Sequence, residues 1–219
     1  PYIEWEQLAK KIQNKTLIGF SDASALIAAL WAKVQWNSIH GPMPQSDLWQ
    51  VQGESGAIVL IKMLTNNLVA QPLIFKDSYN DKQNSLIKGV VFGGCLSVLS
   101  QLIGTPYFPK FHSETILFWE DVGETAAKIM RLVNQWQQAG CLENVTAIIL
   151  GRFTKLDPSG DLTRQDEIEL LVQQELASRL KLPIFICENL GHIVENHPIF
   201  VGKNAEIRNK RLTYVESFV

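Results

Sequence analysis

The chain has 219 residues, 46% of them hydrophobic and 19% charged, with a formal net charge of -2. That length buries a sizeable core as one large domain or two small ones, and the composition is that of an ordinary soluble globular protein. No Lys/Arg run marks a nucleic-acid surface, and no apolar stretch reaches the roughly 20 residues that span a bilayer, so neither partner is expected. Three cysteines, Cys95, Cys141 and Cys187, are far apart and form no CxxC pair. They imply neither a disulfide framework nor a zinc site. Each sits among apolar residues and reads as a small buried hydrophobe in a reducing compartment.

In chain order, Trp5, Leu8, Ala9 and Ile12 form a helical stripe over 5–13. Thr16–Phe20 is a short apolar run of strand character, and Ala23–Val34 is an Ala/Leu-rich helix. His40-Gly41-Pro42 breaks the chain before a predicted helix over 55–68. The composition then turns polar, and an interdomain connection is placed at 69–84. Gly89–Gly94 reads as a strand entering a tight turn, followed by a short helix over 96–103. A strand over 115–119 ends in the acidic stretch Glu120-Asp121-Val122-Gly123-Glu124. A helix over 125–138 stops at Gly140, and a β-branched strand covers 145–150. A helix over 166–180 carries Ile168, Leu171, Val172, Leu176 and Leu180 on one face; a strand over 183–187 leads to Gly191-His192. The tail, 205–218, alternates like one or two edge strands. Strands alternating with helices predict an α/β protein with largely parallel pairing.

Three polar residues follow the carboxyl ends of apolar strands, where open α/β sheets carry their sites: Ser21, Glu120 and His192. Ser21 lies between Gly19 and Ala23, so small residues let strand and helix approach, as at a nucleophile elbow. The commoner use of Ser or Asp in this place is a helix N-cap. Glu120 is a candidate for orienting a histidine. It also fits a solvated first-turn acid, a role in which Asp121 and Glu124 are equally available. His192 follows Gly191 and precedes a polar loop; His40 reads as support for a turn, and His112 and His197 as surface residues. The order Ser, acid, His supports a triad without choosing a fold.

Leu17-Ile18-Gly19-Phe20-Ser21-Asp22-Ala23-Ser24-Ala25-Leu26 resembles the nucleophile segment of the LD-carboxypeptidase family. His40-Gly41-Pro42-Met43 is similar to the family's following turn. Phe92-Gly93-Gly94-Cys95-Leu96 and Leu102-Ile103-Gly104-Thr105-Pro106 are similar to its Gly-Gly-Asn-Leu and Gly-Thr-Pro pair. Leu117–Glu124 resembles the segment with the family's catalytic Glu, whose position is Glu120. Residues 147–153 and 183–192 complete the match. Departures are Cys95 for Asn, Ser24 for Thr, and Phe200 for a Pro before Gly202.

The resemblance implies the C-terminal part of a Rossmann-like N-terminal domain carrying the nucleophile (1–68), a linker (69–84) and a smaller α/β C-terminal domain (85–219). It implies Ser21 as nucleophile, His192 as base, Glu120 as orienting acid and the Asp22 backbone N–H as oxyanion donor, with no metal or cofactor. The implied substrate is murein tetrapeptide, whose L,D-peptide bond is hydrolysed to release D-alanine in the bacterial cytoplasm, by a homodimer. A microcin C-type immunity peptidase cleaving a peptide–nucleotide amide is an alternative, as is a non-catalytic binding module. Family members carry an upstream Arg-Gly-Gly type loop with a second oxyanion N–H, whose loss would cost ~10²–10³ in rate. The chain starts at Pro1 and Pro1-Tyr2-Ile3-Glu4-Trp5 reads like the middle of a protein. A fragment is therefore expected, or a chain completed by a separate N-terminal fragment of the same protein.

Overall fold

The computed structural model describes residues 3–12, 15–44, 46, 49, 54–65, 73–82 and 85–215. Their helices are α1 (Trp5–Lys11), α2 (Ala23–Val34), α3 (Glu54–Leu64), α4 (Leu96–Ser100), α5 (Ala126–Gln138) and α6 (Leu162–Leu180). The strands are β1 (Leu17–Gly19), β2 (Ser38–His40), β3 (Leu73–Ile74), β4 (Asp77–Tyr79), β5 (Ile87–Cys95), β6 (Thr115–Val122), β7 (Val145–Thr154), β8 (Ile184–Ile186), β9 (Ile199–Val201), β10 (Asn204–Arg208) and β11 (Arg211–Tyr214).

Two sheets result. A small one has the order β1-β2-β9, with β1 and β2 parallel and β9 antiparallel to β2. The large one has the order β3-β11-β10-β5-β6-β7-β8-β4. Its centre, β5 to β8, is parallel; its flanks are antiparallel. Central parallel strands bury both faces and so read as continuous apolar runs, which is why 115–119 and 145–150 are legible in the sequence.

The large sheet curls until one stretch of chain borders both of its ends. Leu73-Ile74 pairs with β11, and Phe75 N–H donates to the Lys210 carbonyl at 3.0 Å. One residue on, Lys76 N–H donates to the Ile186 carbonyl at 2.9 Å, and Asp77–Tyr79 pairs with β8. Phe75 turns inward, its ring centroid 5.0 Å from that of Phe185. Both edges are thereby satisfied by residues 73–79, which removes the exposed strand edges that invite aggregation.

Helix α5 lays Ile129, Leu132, Val133 and Trp136 on the core. Trp136 and Trp119 meet edge-to-face at 5.2 Å, and the buried Trp136 Nε1–H donates to Ser100 Oγ at 2.8 Å. Helix α6 buries a partly polar face: Gln165, Glu169, Val172, Gln173, Leu176, Ala177 and Leu180. Strand β7 runs past the end of β8, since its last pair is Leu150–Ile186, and side chains of α6 bond the overhanging backbone. Glu169 Oε1 accepts from Phe153 N–H at 2.7 Å, Gln165 Oε1 from Leu156 N–H at 2.6 Å, and Gln165 Nε2–H donates to the Phe153 carbonyl at 2.7 Å. Glu169 Oε2 accepts from Arg152 Nε at 2.9 Å.

Several expectations are corrected. Strands β6 and β7 continue to Val122 and Thr154, through the acids and the glycine read as their ends. Helix α4 stops at Ser100 rather than 103. Helix α6 starts at Leu162, where Asp161 caps it by accepting from Thr163 and Arg164 N–H, and Leu171 is 64% exposed instead of core-facing. Strands β10 and β11 are internal, flanked by β5 and β3. Residues 216–218 of the predicted tail, and 69–72, 83 and 84 of the expected connection, lie outside the described residues. Cys95 and Cys187 are buried as expected, whereas Cys141 is half-buried.

Glu169→Ala should destabilise the fold by about 2–3 kcal/mol in urea unfolding, because it strands the buried Phe153 N–H and half of the Arg152 guanidinium. A loss below about 0.5 kcal/mol would show that water satisfies the overhang equally well.

Candidate active site

The structure brings Glu120 and His192 together and sets Phe20, the residue before Ser21, against the His192 ring, but it gives His192 Nε2 no hydrogen bond to Ser21. Ser21 occupies the turn between β1 and α2 with φ of +58°, a left-handed conformation that is strained for serine. The turn is tight: a Cβ on Gly19 would lie 2.6 Å from the Ala23 Cβ. Asp22 is the N-cap residue of α2 and makes no side-chain cap bond, so the ordinary capping role is not used here. The N–H groups of Ala23, Ser24 and Ala25 bond back to the carbonyls of Phe20, Ser21 and Asp22. Ser24, fully buried, accepts from Cys95 N–H at 3.1 Å and so docks the start of α2 on the end of β5.

Glu120 lies inside β6 next to Cys95 of β5 and is 0% exposed. The first-turn reading is therefore excluded: α5 begins six residues later, capped by the Thr125 side chain. Strand alternation separates the neighbouring acids. Glu120 Oε2 lies 2.7 Å from His192 Nδ1. Asp121 turns instead to α4, accepting from Ser97 N–H at 2.7 Å and Ser97 Oγ at 3.1 Å, with Cys95 Sγ at 3.4 Å. Glu124, just before α5, pairs with Lys128 in its first turn. The position where the family usually has Asn thus holds a buried thiol against Asp121, and burial pushes Cys95 up to about 12.

His192 sits on the connection from β8 to β9. Gly191 before it has φ of +127°, and a Cβ there would come within 3.2 Å of Glu120 Oε2, so a side chain would compete with the imidazole for the carboxylate. The loop is tied down on both sides. Arg152 N–H of β7 donates to the Leu190 carbonyl at 2.8 Å, and Gly191 N–H donates to the buried Asn196 Oδ1 at 3.0 Å. When ionised, the carboxylate can only accept, and the 2.7 Å contact then uses an Nδ1–H of His192, with Nε2 on the far side of the ring. That Nε2 is buried without a hydrogen-bond partner among the described residues. The ring centroid of Phe20, the residue before Ser21, stands 5.0 Å from that of His192. Desolvation holds the Glu120 carboxyl above its ordinary range, and the bond to His192 pulls in the opposite direction.

The sequence reading missed His40. It ends β2 and is 0% exposed, with Nε2 3.6 Å from Glu120 Oε1. Burial, reinforced by repulsion from His192, lowers its pKa to about 3. It is therefore neutral, and its approach to Glu120 is not an ion pair. Its place before Gly-Pro suggested only a turn, and a three-residue strand gives no periodic signal. His197 is half-buried rather than on the surface, with Nδ1 2.9 Å from the Pro198 carbonyl, and His112 is exposed as expected. No group of three or more His, Cys, Asp or Glu among the described residues is arranged to hold a metal ion.

The His40 shift has a pH consequence. The unfolded chain binds a proton there near 6.5 and the folded chain only near 3, so the stability contributed by this site is lost as pH falls from about 6.5 towards 3. Glu120, raised by burial, works in the opposite sense in acid. In urea unfolding between pH 7 and 4, His40→Phe should lose less stability on acidification than wild type. An equal loss would contradict the burial of a neutral ring.

Residues 88–207 match the LD-carboxypeptidase C-terminal domain, and residues 1–41 match the LD-carboxypeptidase N-terminal domain. A Rickettsia conorii protein named as a carboxypeptidase is 32% identical over 204 residues, 92% of this chain and 61% of that protein. The murein tetrapeptide carboxypeptidase of Pseudomonas aeruginosa is 26% identical over 223 residues, 98% of this chain and 69% of its own length. The Escherichia coli microcin C7 self-immunity protein MccF is 25% identical over 253 residues, covering all of this chain and 70% of MccF. Among solved structures, the muramoyltetrapeptide carboxypeptidase from Oxalobacter formigenes superposes with a TM-score of 0.76 at 24% identity, covering 99% of this chain and 73% of that one. MccF in complex with glutamyl sulfamoyl guanosine gives 0.72 at 21%, covering 100% and 72%. These two likenesses speak for the fold. The chain spans about three fifths of the length of the Rickettsia relative. With its C-terminal match extending over more than half of the residues, the chain belongs to the LD-carboxypeptidase family.

Proposed function

We propose that this chain carries the reacting residues of a serine carboxypeptidase that hydrolyses an L,D-peptide bond, with murein tetrapeptide as substrate and D-alanine as product, in the bacterial cytoplasm. The observation that supports it most is the 2.7 Å contact between His192 Nδ1 and Glu120 Oε2, which leaves Nε2 as a base beside the strained Ser21 turn.

Ser21 Oγ attacks the carbonyl carbon while His192 Nε2 takes the hydroxyl proton. The carbonyl π electrons move onto oxygen, and the Asp22 backbone N–H faces that oxyanion at the positive end of α2. The tetrahedral intermediate collapses as His192 returns the proton to the leaving amine, breaking the C–N bond and leaving an acyl-Ser21 ester. Water, deprotonated by His192, attacks the ester and regenerates the hydroxyl. Glu120 stays ionised throughout; it fixes the tautomer and stabilises the transient imidazolium. Neutral His40 cannot compete for that role, since burial lowers its pKa to about 3.

The likeness to MccF, seen with glutamyl sulfamoyl guanosine bound, favours one further reading, in which the same residues cleave an aminoacyl-sulfamoyl nucleoside amide. Parallel hydrolysis of murein tetrapeptide and an aminoacyl-sulfamoyl adenosine by the full-length protein distinguishes the two substrates.

Ser21→Ala should lower kcat on the productive substrate by at least about 10⁴-fold. A fluorophosphonate should label Ser21 in the wild type and nothing in the variant; turnover surviving in Ser21→Ala would sink the assignment. Ser21→Gly should be equally inactive yet more stable than Ser21→Ala by about 1 kcal/mol, because glycine adopts a positive φ without strain. Equal melting curves for the two variants would mean that the turn is not strained in solution.

A further inference from the structure

The reading of Glu120 and His192 as acid and base leaves half of the carboxylate unexplained. Oε2 has the imidazole of His192, but Oε1 is buried without a hydrogen bond among the described residues. A buried carboxylate oxygen without a donor carries the full desolvation penalty of that atom. The His192 side chain and backbone N–H both act on this carboxylate, yet Oε1 itself is left without a donor. Facing Oε1 at 3.6 Å is His40 Nε2, and neither ring nitrogen of His40 has a hydrogen-bond partner among the described residues.

We propose that His40 is a positioning residue, whose neutral imidazole carries its proton on Nε2 and donates it to Glu120 Oε1, clamping the acid that orients His192. This rests on the catalytic reading above. A neutral imidazole has one N–H and one lone-pair nitrogen. Placing the N–H on Nε2 pairs donor with acceptor; placing it on Nδ1 sets two lone pairs against each other and leaves a buried N–H with no acceptor. A movement of about half an ångström brings the pair to ordinary hydrogen-bond distance. The ring packs edge-on against Phe118 at 5.2 Å and Phe20 at 6.5 Å. Because burial keeps His40 neutral at working pH, it supports the carboxylate without neutralising it, and the charge remains available to the His192 imidazolium.

The clamp also links the two sheets. His40 is in register with Gly19, two residues before Ser21, and with Ile199 of β9, whereas Glu120 belongs to β6 of the large sheet. One hydrogen bond therefore sets the height of the acid relative to the strand that carries the nucleophile.

The test uses the full-length protein. Nitrogen-15 spectra of histidine-labelled wild type read the His40 tautomer directly, with no substrate and no mutation. A neutral ring protonated at Nε2 is expected; a ring protonated at Nδ1, or at both nitrogens near neutral pH, overturns the proposal. The low-field proton resonance of His192 Nδ1–H should persist in His40→Gln, whose amide keeps a donor, and should move upfield in His40→Phe. On the productive substrate His40→Phe should lower kcat by about 10- to 100-fold with KM little changed, the scale of a displaced catalytic group, and His40→Gln should recover most of it. Wild-type resonance and kcat in a folded His40→Phe overturn the proposal. The tautomer and the resonance are read without turnover, so a protein that hydrolyses no L,D-peptide bond refutes the proposed function while these two readings still decide the role of His40.

Discussion

A carboxylate with no exposed surface is the constraint on which the rest of this structure turns. Glu120 stands in the middle of a parallel sheet, two residues short of the end of β6. Desolvating an isolated carboxylate is prohibitively unfavourable, so the charge persists only where donors are built around it. Here the donor comes from a loop rather than from the sheet, and the loop must come close. Gly191 makes room for it, Asn196 and Arg152 hold its backbone, and the imidazole of His192 completes the pair at 2.7 Å.

The same demand explains how the chain is routed. After His192 it leaves the large sheet, adds β9 to β2 in the small sheet, and returns at once to the large one through β10. Tyr214 Oη of β11 accepts from Phe200 N–H of β9 at 2.9 Å, and Gly202 N–H donates to the Val91 carbonyl of β5 at 2.7 Å. The histidine therefore lies on a crossing between two sheets, pinned at both ends. The connection that carries it is thus tethered to both sheets through backbone hydrogen bonds. Closure of the large sheet by residues 73–79 serves the same end, since a curled sheet with both edges bonded does not splay.

What the sequence made legible follows the length and burial of each element. The long central strands and α2 could be read because their apolar pattern extends over enough residues to be unambiguous. Ser21, Glu120 and His192 could be read as candidates because each follows an apolar run. The strands β2, β3, β4 and β9 were missed because two or three residues contain no period, and no longer apolar run extends over them as 16–20 and 183–187 do over the equally short β1 and β8. Helix α6 was shortened and its face misjudged because the residues turned inward, Gln165, Glu169 and Gln173, are polar. Gln165 and Glu169 are inside to bond the backbone of β7, a demand that exists only once the fold has placed that backbone beside them. His40 was missed by the same logic. Nothing in Ser-Ile-His-Gly-Pro announces a buried ring; what buries it is the pairing of β2 between β1 and β9, which joins residues 160 positions apart.

Glu120 and Asp121 make the general point in two adjacent positions. By composition the two are nearly equivalent, and residue type alone had no means of ranking them; only the family resemblance picked Glu120. A strand places consecutive side chains on opposite faces, so the backbone gives one acid to the histidine and the other to the start of α4. Asp121 does there what no local residue does: Cys95, the N-cap of α4, makes no side-chain cap bond, and Asp121 accepts from Ser97 N–H in its place. Exchanging the two acids' roles would require a one-residue slip of β6 against β5, which would also turn Phe118 and Trp119 to the wrong faces. The choice of acid is thus secured by the packing of two fully buried aromatic residues, so the hydrophobic core specifies which carboxylate meets His192.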